Sequence, residues 1–275
     1  MESDLRELIQ TVQSPHLRRL LAVMLGEGAP TWPAYREAPA AKHYHQAYRH
    51  GLFEHSLSVA QAVSATAATF AGIDRDVAVT GALLHDIGKI EAYELSDTGI
   101  RMSDAGRLHG EIALGYFRVR RAIETLEGFP AELEQAILHI ILSHHGSLRH
   151  GSPVVPCTRE ATLVHMIDNL GSKLGSFDRV ERDLAEGELW SEFDKGIGAG
   201  AYFGGGALGG GTPENGTVGD GTLGGGSLGD GTVGDGTLGG GPLGDGTVGD
   251  GTLGDGTPEN GTPGGATPQI DRAAA

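Results

Sequence analysis

The residues with most chemistry to offer in this chain are imidazoles and carboxylates. All 12 histidines lie between His16 and His165. The densest pairing is Leu83-Leu84-His85-Asp86-Ile87-Gly88-Lys89, where an apolar helical run stops at a glycine with a histidine beside an aspartate. Adjacent residues on a helix point about 100° apart. Such a pair converges on one small target only at a helix end, where Gly88 is expected to bend the backbone. His144-His145, followed by Gly146, repeats the arrangement. His55, His109 or Glu111, and Asp168 add ligand-type side chains, so the candidates come from five separate segments. Imidazole with carboxylate and no thiolate is a donor set for Mn²⁺, Fe²⁺, Zn²⁺ or Co²⁺. A carboxylate next to a histidine can bridge two ions, and two ions can activate a water and hold a phosphate oxygen for in-line attack. No serine or cysteine nucleophile with a partner base stands out, so metal-activated water is the expected nucleophile.

The elements that must position these groups are mostly helical. Leu5, Leu8, Ile9 and Val12 keep helical spacing, and Ser14-Pro15 caps a second helix carrying Leu17, Leu20, Leu21 and Met24. Pro30 to Pro39 reads as an irregular connection. One helix fits Leu52 to Ala71, with Leu52, His55, Val59, Val63 and Phe70 on one face. Asp74 caps the helix that leads into His85-Asp86. After Lys89 the period fails, and Tyr93 to Met102 around Ser96-Asp97-Thr98-Gly99 reads as a β-hairpin. A single helix is expected from Leu108 to about Leu126, and another from Pro130 carries Ile137, Ile140, Ile141 and His144 on one stripe. The last core helix, Thr158 to about Val180, has Leu163, Ile167 and Leu170 apolar and His165 and Asp168 on one face. Trp190, Phe193 and Tyr202 are expected to pack back as a closing segment.

Composition divides the chain. Of 47 glycines, 28 lie after residue 200, in a five-residue repeat of the type Gly-Thr-Val-Gly-Asp. Isolated Val and Leu among glycines cannot bury enough apolar surface to offset the ordering entropy, so this tail is expected to be disordered. The first 200 residues are long enough for a sizeable core. The expected domains are 1–50, a helical lead-in; 51–200, the metal-binding helical domain; and 201–275, the tail. The net charge of −16 gives no general attraction for nucleic acid. A single cysteine, Cys157, excludes an intramolecular disulfide, and it reads as structural. With no signal-type N-terminus and no apolar run near 20 residues, a soluble cytoplasmic protein is expected.

His55…His85-Asp86…His144-His145…Asp168 resembles the signature of the HD-domain metal-dependent phosphohydrolases, a helical superfamily. Within it, the chain is similar to the HD domain of the bacterial YhaM-type 3′–5′ exoribonucleases. The matching pieces are Ala38-Pro39-Ala40-Ala41-Lys42, His45, Gly51 to Val59, Gly81 to Lys89, Ser143 to Gly146 and Ile167-Asp168, together spanning roughly residues 1 to 200. The resemblance implies an all-α HD-domain bundle with a small hairpin insertion and one or two divalent ions, Mn²⁺ first, with Fe²⁺, Co²⁺, Zn²⁺ or Mg²⁺ as alternatives. It implies a first site of His55, His85, Asp86 and Asp168. Asp86 would bridge to a second, completed by His144, His145 and a ligand from 109 to 111. Lys89 would contact the substrate phosphate, although a solvated surface lysine is the plainer reading, and Lys42 and His45 would bind substrate.

Three departures shape the functional expectation. Glu111 stands where the family usually shows the histidine of Gly-His-Ile, with His109 two residues earlier; the two face different ways on a helix, and register favours Glu111. Gln46 replaces the second of the family's paired histidines. The N-terminal OB-fold that grips single-stranded RNA in these exonucleases is not seen, since the chain starts at the helical lead-in. The expected activity is therefore phosphodiester hydrolysis on short RNA or oligonucleotide 3′ ends. The alternatives are hydrolysis of nucleotides or cyclic nucleotides, or a non-catalytic HD module that binds a nucleotide or a partner. Of the remaining histidines, His16, His43, His50 and His150 are expected to face solvent, with His43 and His50 near enough to touch substrate. His165 is read as an orienting partner of Asp168 or as a packing residue.

Overall fold

The computed structural model describes residues 1–42, 46–96 and 99–204. Two helices open the chain, α1 (Glu2–Thr11) and α2 (Pro15–Leu25), the second capped by the Ser14 hydroxyl with Pro15 in its first turn. Then follow α3 (Trp32–Glu37), α4 (Gly51–Ala67) and α5 (Arg75–Leu84), whose first turn is held by Asp74 accepting from Asp76 and Val77 N–H. A short α6 (Lys89–Ala92) precedes an antiparallel pair, β1 (Tyr93–Ser96) and β2 (Gly99–Met102), with Tyr93 opposite Met102. Next come α7 (Asp104–His109), α8 (Glu111–Glu124), α9 (Ala131–Ser143) and the long α10 (Arg159–Asp183). A second hairpin, β3 (Trp190–Asp194) and β4 (Ala199–Tyr202), ends the described chain.

Helices α4, α5, α9 and α10 pack around one core. Leu52, Val63, Ala82, Leu83, Leu84, Ile137, Ile140, Ile141 and Val164 are fully buried, each large one contributing about 1.5–3 kcal/mol by leaving water. Leu5, Leu17, Leu20, Leu21 and Tyr35 from α1 to α3 belong to the same cluster. No described helix is long and apolar enough to cross a membrane.

The structure corrects the sequence reading at several joints. Residues 32–37 are helical: Pro33 sits in the first turn, where no backbone N–H is needed, and Trp32 and Tyr35 share the buried face. Helix α4 stops at Ala67, so Phe70 leaves the buried stripe and is exposed. Residues Lys89–Ala92 add a helical turn where the period seemed to fail. The helix expected from Leu108 is two helices, because Gly110 at φ 76° turns the chain between α7 and α8. Leu170 is exposed rather than core. Trp190, Phe193 and Tyr202 form a hairpin yet remain exposed; the first and last stack on each other at 4.8 Å. The hairpin is fastened by a polar contact instead, Arg179 on α10 to Asp194 at 2.6 Å. The expectation of disorder for the glycine-rich tail falls on residues from 205 onward, which lie outside the described residues, as do His43 and His45.

Candidate metal centre

The centre is assembled at the ends of two helices. His85 is the C-cap of α5 and Asp86 follows it; His144 is the C-cap of α9 and His145 follows. At both ends the first imidazole turns back on its own helix. His85 Nδ1–H donates to the Ala82 carbonyl at 2.7 Å and His144 Nδ1–H to the Ile141 carbonyl at 2.8 Å. His145 Nδ1–H donates to the His150 carbonyl at 2.9 Å. A carbonyl only accepts, so in each ring Nδ1 carries a proton, and Nε2 is the atom left to meet a ligand.

Those Nε2 atoms converge with carboxylates. His55 Nε2 on α4 lies 3.2 Å from His85 Nε2, 3.3 Å from Asp86 Oδ2 and 3.0 Å from Asp168 Oδ1 on α10. His85 Nε2 is 3.3 Å from Asp86 Oδ2 and 3.8 Å from Asp168 Oδ1. The other oxygen of Asp86, Oδ1, faces His144 Nε2 at 3.4 Å, and His145 Nε2 faces Glu111 Oε1 at 3.4 Å. Two groups of potential ligand atoms result, His55–His85–Asp86 and Glu111–His144–His145, with Asp168 beside the first. Asp86 presents one oxygen to each.

Glu111 reaches this place through a backbone contact. A Cβ on Gly88 would lie 1.9 Å from the Glu111 carbonyl oxygen and 2.5 Å from Gly115 N. Gly88, expected to bend the backbone, has an ordinary φ of −67°. It lets the start of α8 press on the turn that carries His85 and Asp86. His109 ends α7, is exposed, and belongs to neither group.

Lys89 is far from a solvated surface lysine. Its ammonium lies 2.6 Å from Asp86 Oδ2 and its side chain is 11% exposed. Burial would depress it, but Asp86 beside it raises its pKa. Burial would likewise raise Asp86; Lys89, then His85, hold that carboxyl well below the usual range. Asp168 also overcomes its burial, being held low by hydrogen bonds from His55 and His85. Burial pushes His85 down, yet Asp86 and Asp168 outweigh it and carry the imidazole up to about 10. His145 is lowered, first by burial and then by His144.

The residues fit a divalent metal. Among the described residues, Asp86 Oδ1 and His144 Nε2 are buried without a hydrogen-bond partner. Such orphaned lone pairs cost about 1–3 kcal/mol each unless something else takes them. Ligands about 2.1 Å from one ion sit roughly 3 Å from each other, close to the separations seen here. Nitrogen and carboxylate donors without thiolate suit Mn²⁺, Fe²⁺, Co²⁺ or Zn²⁺.

Three further residues support the centre through partners that the sequence does not specify. Tyr35 on α3 donates its hydroxyl to the Leu83 carbonyl at 3.0 Å, two residues before His85. The expected "irregular connection" thus braces the end of α5. His165 does not orient Asp168; its Nδ1–H donates to the His144 carbonyl at 2.7 Å. Tyr93, at the start of β1, lies within the field of Lys89, Glu111 and Asp86, and burial foremost raises its phenol. Lys42 is exposed on a bend. His50 is half-buried, its ring on the Arg36 carbonyl at 2.7 Å, and His16 sits edge-on to Phe129. Cys157 is exposed, with Sγ 3.3 Å from His139 Nε2.

Comparison with known proteins agrees with this arrangement. Residues 52–172 match the HD domain family. The 3′-5′ exoribonuclease YhaM of Shouchella clausii is 31% identical over 192 residues, covering 69% of this chain and 58% of that protein. The 3′-5′ exoribonuclease YhaM of Bacillus velezensis is 32% identical over 189 residues, 68% of this chain and 58% of the relative. That of Bacillus subtilis is 31% identical over 189 residues with the same coverage. The chain therefore spans a little under three fifths of the length of these relatives. No solved structure matches it significantly. With the paired helix ends, the converging imidazoles and the matched segment in hand, residues 52–172 of this chain are an HD domain.

Proposed function

We propose that this chain is a divalent-metal-dependent phosphodiesterase acting on short RNA or oligonucleotide 3′ ends. The observation that carries the reading is the carboxylate of Asp86, whose two oxygens face two separate imidazole groups. His55, His85, Asp86 and Asp168 would hold one ion, and Asp86, Glu111, His144 and His145 a second. Bound there, such ions supply Lewis-acid activation of water and neutralise phosphate charge. The chain's own part is to keep the ligands pre-set: three Nδ1–H groups are tied to backbone carbonyls, so Nε2 is aimed without cost at the moment of binding. Lys89 is a buried cation on the same carboxylate and is placed to meet a phosphate oxygen. Tyr93 lies within the field of Lys89, Glu111 and Asp86, and its phenol is raised, foremost by burial. The names of the relatives point to RNA cleaved from the 3′ end, and among the described residues the two ligand groups consist of His, Asp and Glu, which suits hydrolysis by water.

The test is an assay of purified protein with Mn²⁺ on short RNA, cyclic nucleotides and nucleotides, beside Asp86→Ala. Short RNA is expected to be cleaved, and the variant to lose on the order of 10³-fold or more in rate. No cleavage of any substrate, or equal rates for both proteins, would end the proposal.

A further inference from the structure

A cleft of about 430 Å³ opens directly beside the first ligand group, and His55 is part of its wall. Its two sides are helical. Val59 and Ala62 on α4 face Leu170 and Leu174 on α10, with Tyr48 at the rim. Leu170 and Leu174 are 49% and 53% exposed, unusual for leucines one turn apart on a long packed helix. Between them stands Gly171, where an added Cβ would meet nothing within 4 Å. A glycine in mid-helix weakens the helix relative to alanine, so open space at that point is kept at the expense of helix stability. The Tyr48 phenol is pushed up to about 12 by burial and by Glu54 beside it, so it stays protonated at the rim. Arg179, which also borders the cleft, has its charge taken by Asp194. Gln46, Glu54, Ser58, Asp178 and Arg182 line the cleft as well, so its apolar sides stand among groups able to hydrogen-bond the edge of a ring.

We infer that this cleft is a nucleobase subsite, receiving the base attached to the phosphate that lies at the ligand groups. The inference rests on the phosphodiesterase reading above. A flat ring fits between two apolar sides a short way from the reacting phosphate, and such contact with aliphatic side chains is open to any base. The shared residue His55 sets the two sites side by side, so a nucleotide with its phosphate at the metal ligands has its base within reach of the cleft. The volume falls in the range of small-molecule pockets, about 300–1,000 Å³.

The experiment compares adenosine 5′-monophosphate with ribose 5-phosphate, which lacks only the base, by calorimetric titration of the full chain in Mn²⁺. The unaltered protein is expected to bind the nucleotide at least tenfold more tightly. Gly171→Leu fills the cleft and removes a helix glycine. Its melting temperature and metal content should therefore hold or rise, while the preference for the nucleotide falls toward one. Gly171→Ala, which fills little of the space, should keep the preference. Equal affinity of the unaltered protein for the two ligands, or an undiminished preference in Gly171→Leu, would overturn the subsite. Loss of the phosphodiesterase reading shows separately, as absence of Mn²⁺-dependent hydrolysis of bis(p-nitrophenyl) phosphate, which has no base to bind.

Discussion

At the scale of single residues, the centre shows how a ligand-rich sequence can name the right neighbourhood and still leave the assignment open. Glu111 and His109 were both candidates, because a list of donor types contains no information about a turn. The turn at Gly110, φ 76°, places Glu111 at the start of α8 facing His145, and leaves His109 exposed at the end of α7. Glu111→Ala is accordingly expected to lower metal stoichiometry and to cost on the order of 10²-fold in Mn²⁺-dependent hydrolysis. His109→Ala should change neither. Metal analysis and rates on the two variants decide this, and equal losses would return His109 to the centre. The groups His55, His85, Asp86, His144, His145 and Asp168 were legible because apolar periodicity put them at helix ends or inner faces. Tyr35 and the true partner of His165 were not, since each meets a backbone carbonyl remote in sequence.

Among the elements, the four long helices of the core were readable from their 3.6-residue stripes, while their connections were not. Close packing, rather than composition, decides where α8 begins: Gly88 admits the Glu111 backbone to a distance that any side chain would forbid. The closing hairpin is the other case. Its aromatic residues suggested burial, yet its attachment is ionic, with Asp194 accepting from Arg179 at 2.6 Å and from Gly196 and Ile197 N–H at 2.9 and 3.2 Å. The Arg179 hydrogen bond is the main reason that the Asp194 carboxyl lies below its ordinary value. A carboxyl depressed in the folded state contributes stability that is complete above its unfolded value, about 3.9, and disappears as pH falls through the folded one. Acid should therefore release the hairpin below about pH 4, followed by Trp190 fluorescence. Arg179→Ala should move that transition to higher pH; an unchanged midpoint would mean that the ion pair does not hold the hairpin.

For the molecule as a whole, a helical domain, a ligand set and a family resemblance are legible in the sequence alone. What it withheld was the order of assembly in space, which depends on contacts between segments up to 113 positions apart, such as His55 with Asp168. Several buried charges meet in one small volume, where among the described residues Asp86 Oδ1 and His144 Nε2 make no hydrogen bond. An ion that binds only the folded chain stabilises it by about 2.7 kcal/mol at a hundredfold excess over Kd. At about 2–4 °C per kcal/mol for a domain of this size, a chelator should lower the melting temperature by roughly 5–10 °C, Mn²⁺ should restore it, and Asp86→Ala should respond to neither. A calorimetric scan settles it, and indifference of the unaltered protein to chelator would show that no bound ion contributes to stability. The helix that supplies Asp168 also reaches, through His165, the carbonyl of His144, so one rod clasps both halves of the centre. It acts as a bolt. Any motion that lifts that rod would take Asp168 from one group and the support under His144 from the other, so the two halves of the centre should open together.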